Sequence, residues 1–328
     1  MRLNTKVVIF LCAFLLAAGA ASAQTKLPPE TRNAALRYWL AFAELRDPPA
    51  DQATQELLER TAAGQTSWDE SKLGPILDKN ETAILRMQRA TRLPECDWGL
   101  EQAWNASIAY APRARVLARL NTLYGLRLAA KGDRSGAVGA WLDGILFSQH
   151  VAQGGTLIFA LIAQSGMLPN LRVLVEAVES GTLSDTDRRR IETAVRALPE
   201  SGFDWSGAMR MEEAVLYGMV DQMSQSPNPA DFYATAMGEP APRNFSVPSA
   251  ADRAHDHDLM NRAEDALRLS PAEAQTRLSG LSGELGSGQV HEFFRRTTPS
   301  VLRVNESRSV VAAARERLLQ TLAAKGRP

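Results

Sequence analysis

Cysteine is almost absent from this chain of 328 residues, which contains only Cys12 and Cys96. Cys12 lies in an apolar N-terminal run that we expect to be removed, so a single thiol would remain. A lone thiol cannot form an internal disulfide, and the fold must therefore be held together by its hydrophobic core. We expect Cys96 to be a buried and unreactive side chain, with an intermolecular disulfide as the alternative.

The chain also lacks an excess of charge of either sign. It has 37 basic and 37 acidic residues, and losing Arg2 and Lys6 with the N-terminal run leaves 35 basic against 37 acidic. This balance gives no electrostatic basis for binding nucleic acid or an anionic membrane surface. We therefore expect neither among its partners.

Several catalytic signatures are missing as well. The sequence contains no Gly-x-Ser-x-Gly nucleophile elbow, no Gly-rich phosphate loop and no dinucleotide fingerprint. These absences argue against a serine hydrolase of the elbow type and against nucleotide-dependent enzymes. The sequence therefore predicts no cofactor.

The N-terminus has the three parts of a secretory signal peptide. Arg2 and Lys6 precede the apolar run "VVIFLCAFLLAAGA", and Ala21 and Ala23 follow at the spacing that signal peptidase recognises. The run is shorter than the roughly 20 residues that span a membrane. We expect residues 1–23 to be cleaved after Ala23, which predicts a periplasmic or secreted protein without a membrane span.

Helix-forming residues dominate the rest of the chain and predict an all-α fold, an array of antiparallel helical hairpins. Leu36, Leu40 and Ala43 lie on one side of the first helix, with Trp39 beside them. The apolar stretch from Thr156 to Leu168 predicts a buried central helix, which Pro169 should kink or divide.

Composition divides the mature chain into three parts. Residues 24–225 form the predicted helical array, and residues 251–328 a smaller helical C-terminal segment. Between them, residues 226–250 are rich in Pro, Ser, Asn and Gly, which is typical of a long loop or linker.

One stretch, "GLRLAAKGDRSGAVGAWLDGILFSQH", resembles a tetratricopeptide repeat. Small residues stand where the two helices of that family cross, and an aromatic residue fills the space beside them; here these are Gly125, Ala137, Gly144 and Trp141. Asn121 replaces the family's first aromatic residue and Gln149 its closing proline. The resemblance covers one unit, whereas a solenoid stacks about three or more.

The whole chain also resembles secreted bacterial all-helical proteins. The resemblance is carried by "NAALRYWLAFAELRDPP" near the N-terminus and by "RLNTLYGLRLAAKGD" in the middle. This resemblance implies that the chain belongs with such secreted helical proteins, and it implies no mechanism.

The segment "AHDHD" is the one candidate metal site. Asp252, His255 and His257 are residue types that ligate metals, and Asp252 and His255 share a helical face. His255 and His257 would point to opposite sides, however, because residues two apart on a helix diverge by about 200°. The expected structure is a polar helix start, and a metal site stays the alternative.

Two further patterns leave an enzyme or a groove open. The acidic pairs Glu212/Glu213 and Asp69/Glu70, and Asp97 beside Trp98, suit a glycosidase-like carboxylate mechanism, although helical acids are commonly solvated. All tryptophans fall in the first two thirds of the chain, at positions 39, 68, 98, 104, 141 and 205. They suit core filling, with a sugar or peptide groove as the alternative.

The favoured interpretation is a non-enzymatic scaffold or binding protein whose groove, lined by aromatic and polar residues, takes a peptide, a protein or another envelope component. A hydrolase, with or without the assistance of a metal, is the first alternative. A carrier with a cavity for an apolar ligand near Thr156–Leu168 is the second.

Overall fold

A computed structural model describes residues 32–100, 103–105, 108 and 110–325 of the chain. The predicted signal peptide and its cleavage site after Ala23 lie outside these residues. Secretion and a periplasmic location therefore stay predictions.

Within the described ranges the chain is all-α, as its composition predicts, and its only β-type pairing is an isolated bridge between Asn33 and Glu95. Thirteen helices are present there: α1 (Ala34–Glu44), α2 (Gln52–Ala62), α3 (Glu70–Ala90), α4 (Tyr110–Ala130), α5 (Arg134–Ala152), α6 (Leu157–Glu179), α7 (Asp185–Ala197), α8 (Trp205–Gln225), α9 (Pro229–Met237), α10 (Ala250–Leu267), α11 (Pro271–Leu285), α12 (Glu292–Thr297) and α13 (Val301–Lys325).

The predicted hairpin consists of α4 and α5, which pack side by side across a short turn. Gly132 ends α4 with a φ of 86°, in the left-handed region that glycine adopts without steric cost. Asp133 then caps α5, because its carboxylate accepts a hydrogen bond of 2.9 Å from the Gly136 amide.

Small residues let the hairpin helices approach each other closely. A Cβ atom on Gly125 would lie 2.2 Å from the Trp141 Nε1 atom. A Cβ atom on Gly144 would lie 2.7 Å from the amide nitrogens of both Asn121 and Asn170. The expected close crossing is confirmed, whereas the relationship to tetratricopeptide repeats stays a prediction.

The apolar helix α6 lies at the centre and packs against α4, α5, α8 and α13. Among the described residues it is the one helix with the length and hydropathy of a membrane span, and most of it is buried. Of the two effects expected at Pro169, a division of the helix is wrong, since α6 continues through this residue to Glu179, and a kink stays a prediction. Packing by four neighbouring helices offsets the hydrogen bond that proline cannot make.

The C-terminal part of the chain completes the core that the earlier helices begin. Helix α10 packs on α8, α11 packs on α13, and α13 packs on both α6 and α7. One connected cluster of buried apolar residues therefore extends from Ala34 to Leu322.

The Pro-rich segment 226–250 is only partly a loop, because it contains α9. Asn228 caps this helix by accepting a hydrogen bond from the Asp231 amide, and Pro229 occupies its first turn. Tyr233 in its middle is buried. The overall composition of the segment indicates a loop, but the Asn-Pro pair at its start is a sequence signal for the beginning of a helix.

Helix α1 exposes the side that looks most apolar in the sequence. Leu36, Trp39 and Leu40 are 46%, 42% and 45% exposed, and Ala43 is exposed beside them. The buried side is the one that carries Tyr38, whose ring packs against Phe147 with the centroids 4.8 Å apart.

Candidate ligand-binding cleft

A cleft of about 420 Å³ opens between α1, the segment before α4, the turn from α5 to α6, and α8. This volume is in the range of small-molecule binding sites. Its wall is mainly aromatic and aliphatic, and we call it the aromatic cleft; the side chains that line it are those of Trp39, Trp98, Leu100, Ala103, Trp104, Ile108, Tyr110, Thr156, Ile158, Phe159, Met211, Glu212 and Val215, with Gly99, Gly154 and Gly155 between them.

Stacked rings form one side of the aromatic cleft. The Trp98 and Tyr110 rings are 4.2 Å apart between centroids and 9° from parallel. Phe159 continues the stack, 4.9 Å from Tyr110 and 3° from parallel. The Trp39 ring stands edge-on to both Trp98 and Tyr110, at interplanar angles of 80° and 72°.

Trp98 is held in place by an irregular segment that precedes α4. Its indole Nε1 donates a hydrogen bond of 2.6 Å to the His150 carbonyl at the end of α5. Gly99 follows with a φ of 61°, and its amide donates to the Asp97 carboxylate at 2.9 Å. Asn33 fixes the other side of Asp97 by donating to its carbonyl at 2.7 Å. These hydrogen bonds fix the position of the Trp98 ring, although the segment that carries it is not helical.

The turn between α5 and α6 brings Phe159 into the stack. Gly154 has a φ of 70°, which favours glycine. A Cβ atom on Gly155 would lie 2.5 Å from the Phe159 ring, so only glycine leaves room for that ring. The same turn also borders a second cleft of about 530 Å³, which includes His150 and Arg210.

Among the described residues that line the aromatic cleft, Glu212 is the one acidic residue, and none is Lys, Arg or His. The carboxylate accepts a hydrogen bond of 3.2 Å from the Leu157 amide at the start of α6. Burial raises the pKa of Glu212, and hydrogen bonds from Leu157 and Thr156 oppose that rise. Within the described chain no basic side chain lies within ion-pair distance of Glu212.

The rim of the aromatic cleft is unusually apolar for a protein surface. Trp39, Ile108 and Ile158 are 42%, 47% and 45% exposed, although all three are large apolar side chains. A contiguous exposed apolar patch of this kind marks an interaction site more often than a plain surface does.

The structure does not bring Asp252, His255 and His257 together as a set of metal ligands. Asp252 accepts a hydrogen bond from its own helix cap, Ser249, at 2.6 Å. His257 Nδ1 lies 2.7 Å from Glu213 Oε1 on α8, and its Nε2 lies 3.0 Å from Asn261 Nδ2. In the described part of the chain no group of three or more His, Cys, Asp or Glu side chains could hold a metal ion.

Cys96 does not form a catalytic pair with a histidine. Its Sγ atom lies 3.9 Å from the backbone carbonyl of His150, and the imidazole Nδ1 of His150 instead pairs with the Tyr38 hydroxyl at 2.6 Å. Burial raises the pKa of Cys96 to about 12, and burial also lowers the pKa of His150. The thiol is therefore protonated and buried, as the sequence predicts.

The acidic pairs named from the sequence are split between different environments. Glu212 faces the aromatic cleft, whereas Glu213 faces α10 through His257. Asp69 caps α3 through the amides of Ser71 and Lys72, and Glu70 pairs with Arg127. Adjacent residues on a helix point in different directions, so neither pair forms two facing carboxylates.

The tryptophans lie in two kinds of place, the hydrophobic core and the wall of the aromatic cleft. Trp141 and Trp205 are buried in the core. Trp39, Trp98 and Trp104 line the aromatic cleft together with Tyr110 and Phe159, two rings that no sequence pattern singled out. The spacing of these residues in the sequence does not predict that their rings lie together, because the rings come from four separate segments of the chain.

Comparison of the chain with models of protein families, with curated proteins and with solved structures yields no match.

Proposed function

We propose that the protein is a secreted or periplasmic binding protein without catalytic activity, and that its ligand occupies the aromatic cleft. The observation that carries this proposal is the cleft itself, a volume of about 420 Å³ walled by rings and edged by exposed apolar side chains. Aromatic surfaces supply large contact areas with few rotatable bonds, which suits binding.

The composition of the wall favours binding over hydrolysis. Hydrolytic sites commonly combine a nucleophile or a base with a second group that orients it or supplies a proton. In the described part of the lining, Glu212 is the one carboxylate, and there is no histidine, cysteine or serine. A two-carboxylate mechanism would need a partner, and the adjacent Glu213 is directed to His257 instead.

The predicted secretion indicates where the ligand would be met. The signal peptide directs the protein to the envelope or beyond, and the exposed rim suits a peptide, a protein segment or another envelope component. The helical hairpin of α4 and α5 contributes the rigid support on which a tetratricopeptide-like scaffold depends.

The binding proposal is tested with a neutral fluorescent apolar probe, N-phenyl-1-naphthylamine, titrated into the purified protein. We expect saturable fluorescence, and at least fivefold weaker binding by the Trp39→Ser variant. Val310→Ser is the matched control, since Val310 is 51% exposed but does not line the cleft. Equal affinity of the Trp39→Ser and Val310→Ser variants would contradict a role for the cleft.

A carrier of an apolar ligand is the second candidate. It is supported by Thr156, Ile158 and Phe159, which bring the cleft to the start of the apolar stretch where a carrier cavity was predicted. Native mass spectrometry of the protein purified without detergent separates the two functions. A co-purified lipid of defined mass would favour the carrier, and a bare chain that captures peptides would favour the scaffold.

A further inference from the structure

The aromatic cleft combines two features that are rarely brought together by core packing alone. Among the described residues its wall is largely aromatic, with the Trp39 ring 42% exposed, and its one acidic side chain is that of Glu212. Aromatic faces carry negative electrostatic potential and attract cations within about 6 Å of the ring centre. Both features therefore favour positive charge.

Among the described residues no basic side chain pairs with Glu212. Its described polar contacts are with the Leu157 amide and Thr156 at the start of α6, which are neutral hydrogen-bond donors. A carboxylate offers about four lone-pair sites, so these two contacts leave room for a charged partner. A partly buried carboxylate that lacks a cation is unfavourable, and a bound cation would remove that penalty.

The wall fits a cation with an apolar body better than it fits a sugar. A sugar presents many hydroxyl groups and needs several polar side chains to pair with them. Besides Glu212 and Thr156, the described residues of the wall offer only the Trp39 indole and the buried Tyr110 hydroxyl. The indole Nε1 atoms of Trp98 and Trp104 already donate to the His150 carbonyl and to Gln222.

We propose that the aromatic cleft recognises an alkylammonium group, such as a trimethylammonium, with the rings contacting its methyl groups and Glu212 balancing its charge. This inference rests on the proposed binding function and names the chemistry of its ligand. The same group occurs on free organic cations and on lipid headgroups, so both sources need to be compared.

The test compares choline with 3,3-dimethylbutan-1-ol, a neutral molecule of the same shape, by calorimetric titration of the wild-type protein. We expect choline to bind at least tenfold more tightly, which corresponds to about 1.4 kcal/mol. No variant is needed for this comparison. Equal affinities, or tighter binding of the neutral molecule, would overturn the inference.

Variants then assign the effect to the cleft. Glu212→Gln retains a side-chain oxygen that can accept from the Leu157 amide, so α6 keeps its cap. We expect this change to reduce choline affinity about tenfold and to leave the affinity for the neutral alcohol within twofold. Trp39→Leu should weaken both ligands. An unchanged choline preference in Glu212→Gln would contradict the assigned role of the carboxylate.

Two further arms locate the source of the cation and keep the proposals separable. Co-sedimentation with phosphatidylcholine vesicles that choline abolishes would indicate a headgroup, whereas choline binding without sedimentation would indicate a free cation. If the naphthylamine probe binds in a Trp39-dependent manner but choline neither binds nor competes, the binding function stands and the cation inference fails. Binding of a neutral sugar in place of choline would also overturn it.

Discussion

Replacing Gly125 by alanine tests whether the hairpin of α4 and α5 depends on contact between the Gly125 backbone and the Trp141 indole. Alanine alone would favour the helix by about 1 kcal/mol. Its Cβ atom, however, would lie 2.2 Å from Nε1 and 2.6 Å from Cδ1 of a buried ring. Overpacking of this kind costs about 1–3 kcal/mol.

The displaced ring also loses a hydrogen bond. Trp141 Nε1 donates to the Thr122 carbonyl at 3.2 Å, and an unpaired buried donor costs about 1–3 kcal/mol. With the helix preference subtracted, we expect Gly125→Ala to lower the free energy of unfolding by about 1–5 kcal/mol. Thermal unfolding followed by circular dichroism should then show a midpoint lower by about 2–8 °C.

The matched control is Gly139→Ala in α5. The nearest atom to its new Cβ is Arg190 Nη2 at 3.6 Å, an ordinary contact, so the helix preference should dominate. We expect this variant to be as stable as the wild type or more stable by up to about 1 kcal/mol. A Gly125→Ala midpoint equal to that of Gly139→Ala would refute the close approach of the two helices.

Three further outcomes follow from buried groups. Native Cys96 should react with iodoacetamide at pH 8 about a thousandfold more slowly than in the unfolded chain, because burial raises its pKa to about 12; similar rates would place the thiol at the surface. Desolvation raises the pKa of Asp256 from 3.8 to about 6, so the folded state binds a proton between these values and its stability falls as the pH rises through that window. The loss amounts to about 3 kcal/mol, and Asp256→Asn should flatten this part of a urea-unfolding series between pH 4 and pH 8; an unchanged slope would refute it. Asn305→Ala removes the hydrogen bonds that this residue makes to the Pro271 carbonyl and to buried Arg308. We expect urea unfolding to show a loss of stability of about 2–4 kcal/mol, and a loss below about 0.5 kcal/mol would contradict this expectation.

The local features of this fold were accessible from the sequence. The helices that begin after Asp51, Ser184 and Ser270 are capped by these residues, and such a cap needs only a side-chain oxygen and an amide two or three residues later. The turn at Gly132 and Asp133 was predictable for the same reason. Interactions between residues that are four or five positions apart depend on the local sequence alone and can therefore be predicted from it.

The buried side of α1 was not accessible in this way. Its helical period was clear, but the side that carries Leu36, Trp39 and Leu40 lies at the surface. The opposite side is buried because Tyr38 and Phe42 meet Trp98 and Phe147, which come from segments far along the chain. An apolar pattern indicates which residues share a face and does not say which face finds a partner.

The aromatic cleft was beyond sequence reasoning for a related cause. Its rings belong to α1, the segment before α4, the first residue of α4 and the first turn of α6, and its carboxylate belongs to α8. A groove lined by aromatic residues was expected only as a general property. Tyr110 and Phe159 carry no motif, and Glu212 appeared in the sequence only as half of an acidic pair.

The position of α13 on α6 has a consequence for the newly made chain. About 150 residues separate the end of α6 from the end of α13, and at roughly 5–20 residues per second their synthesis takes about 10–30 s. Throughout that interval the most apolar helix of the described chain has one side without its cover. The core of the described chain can therefore close completely only after its last helix has been made.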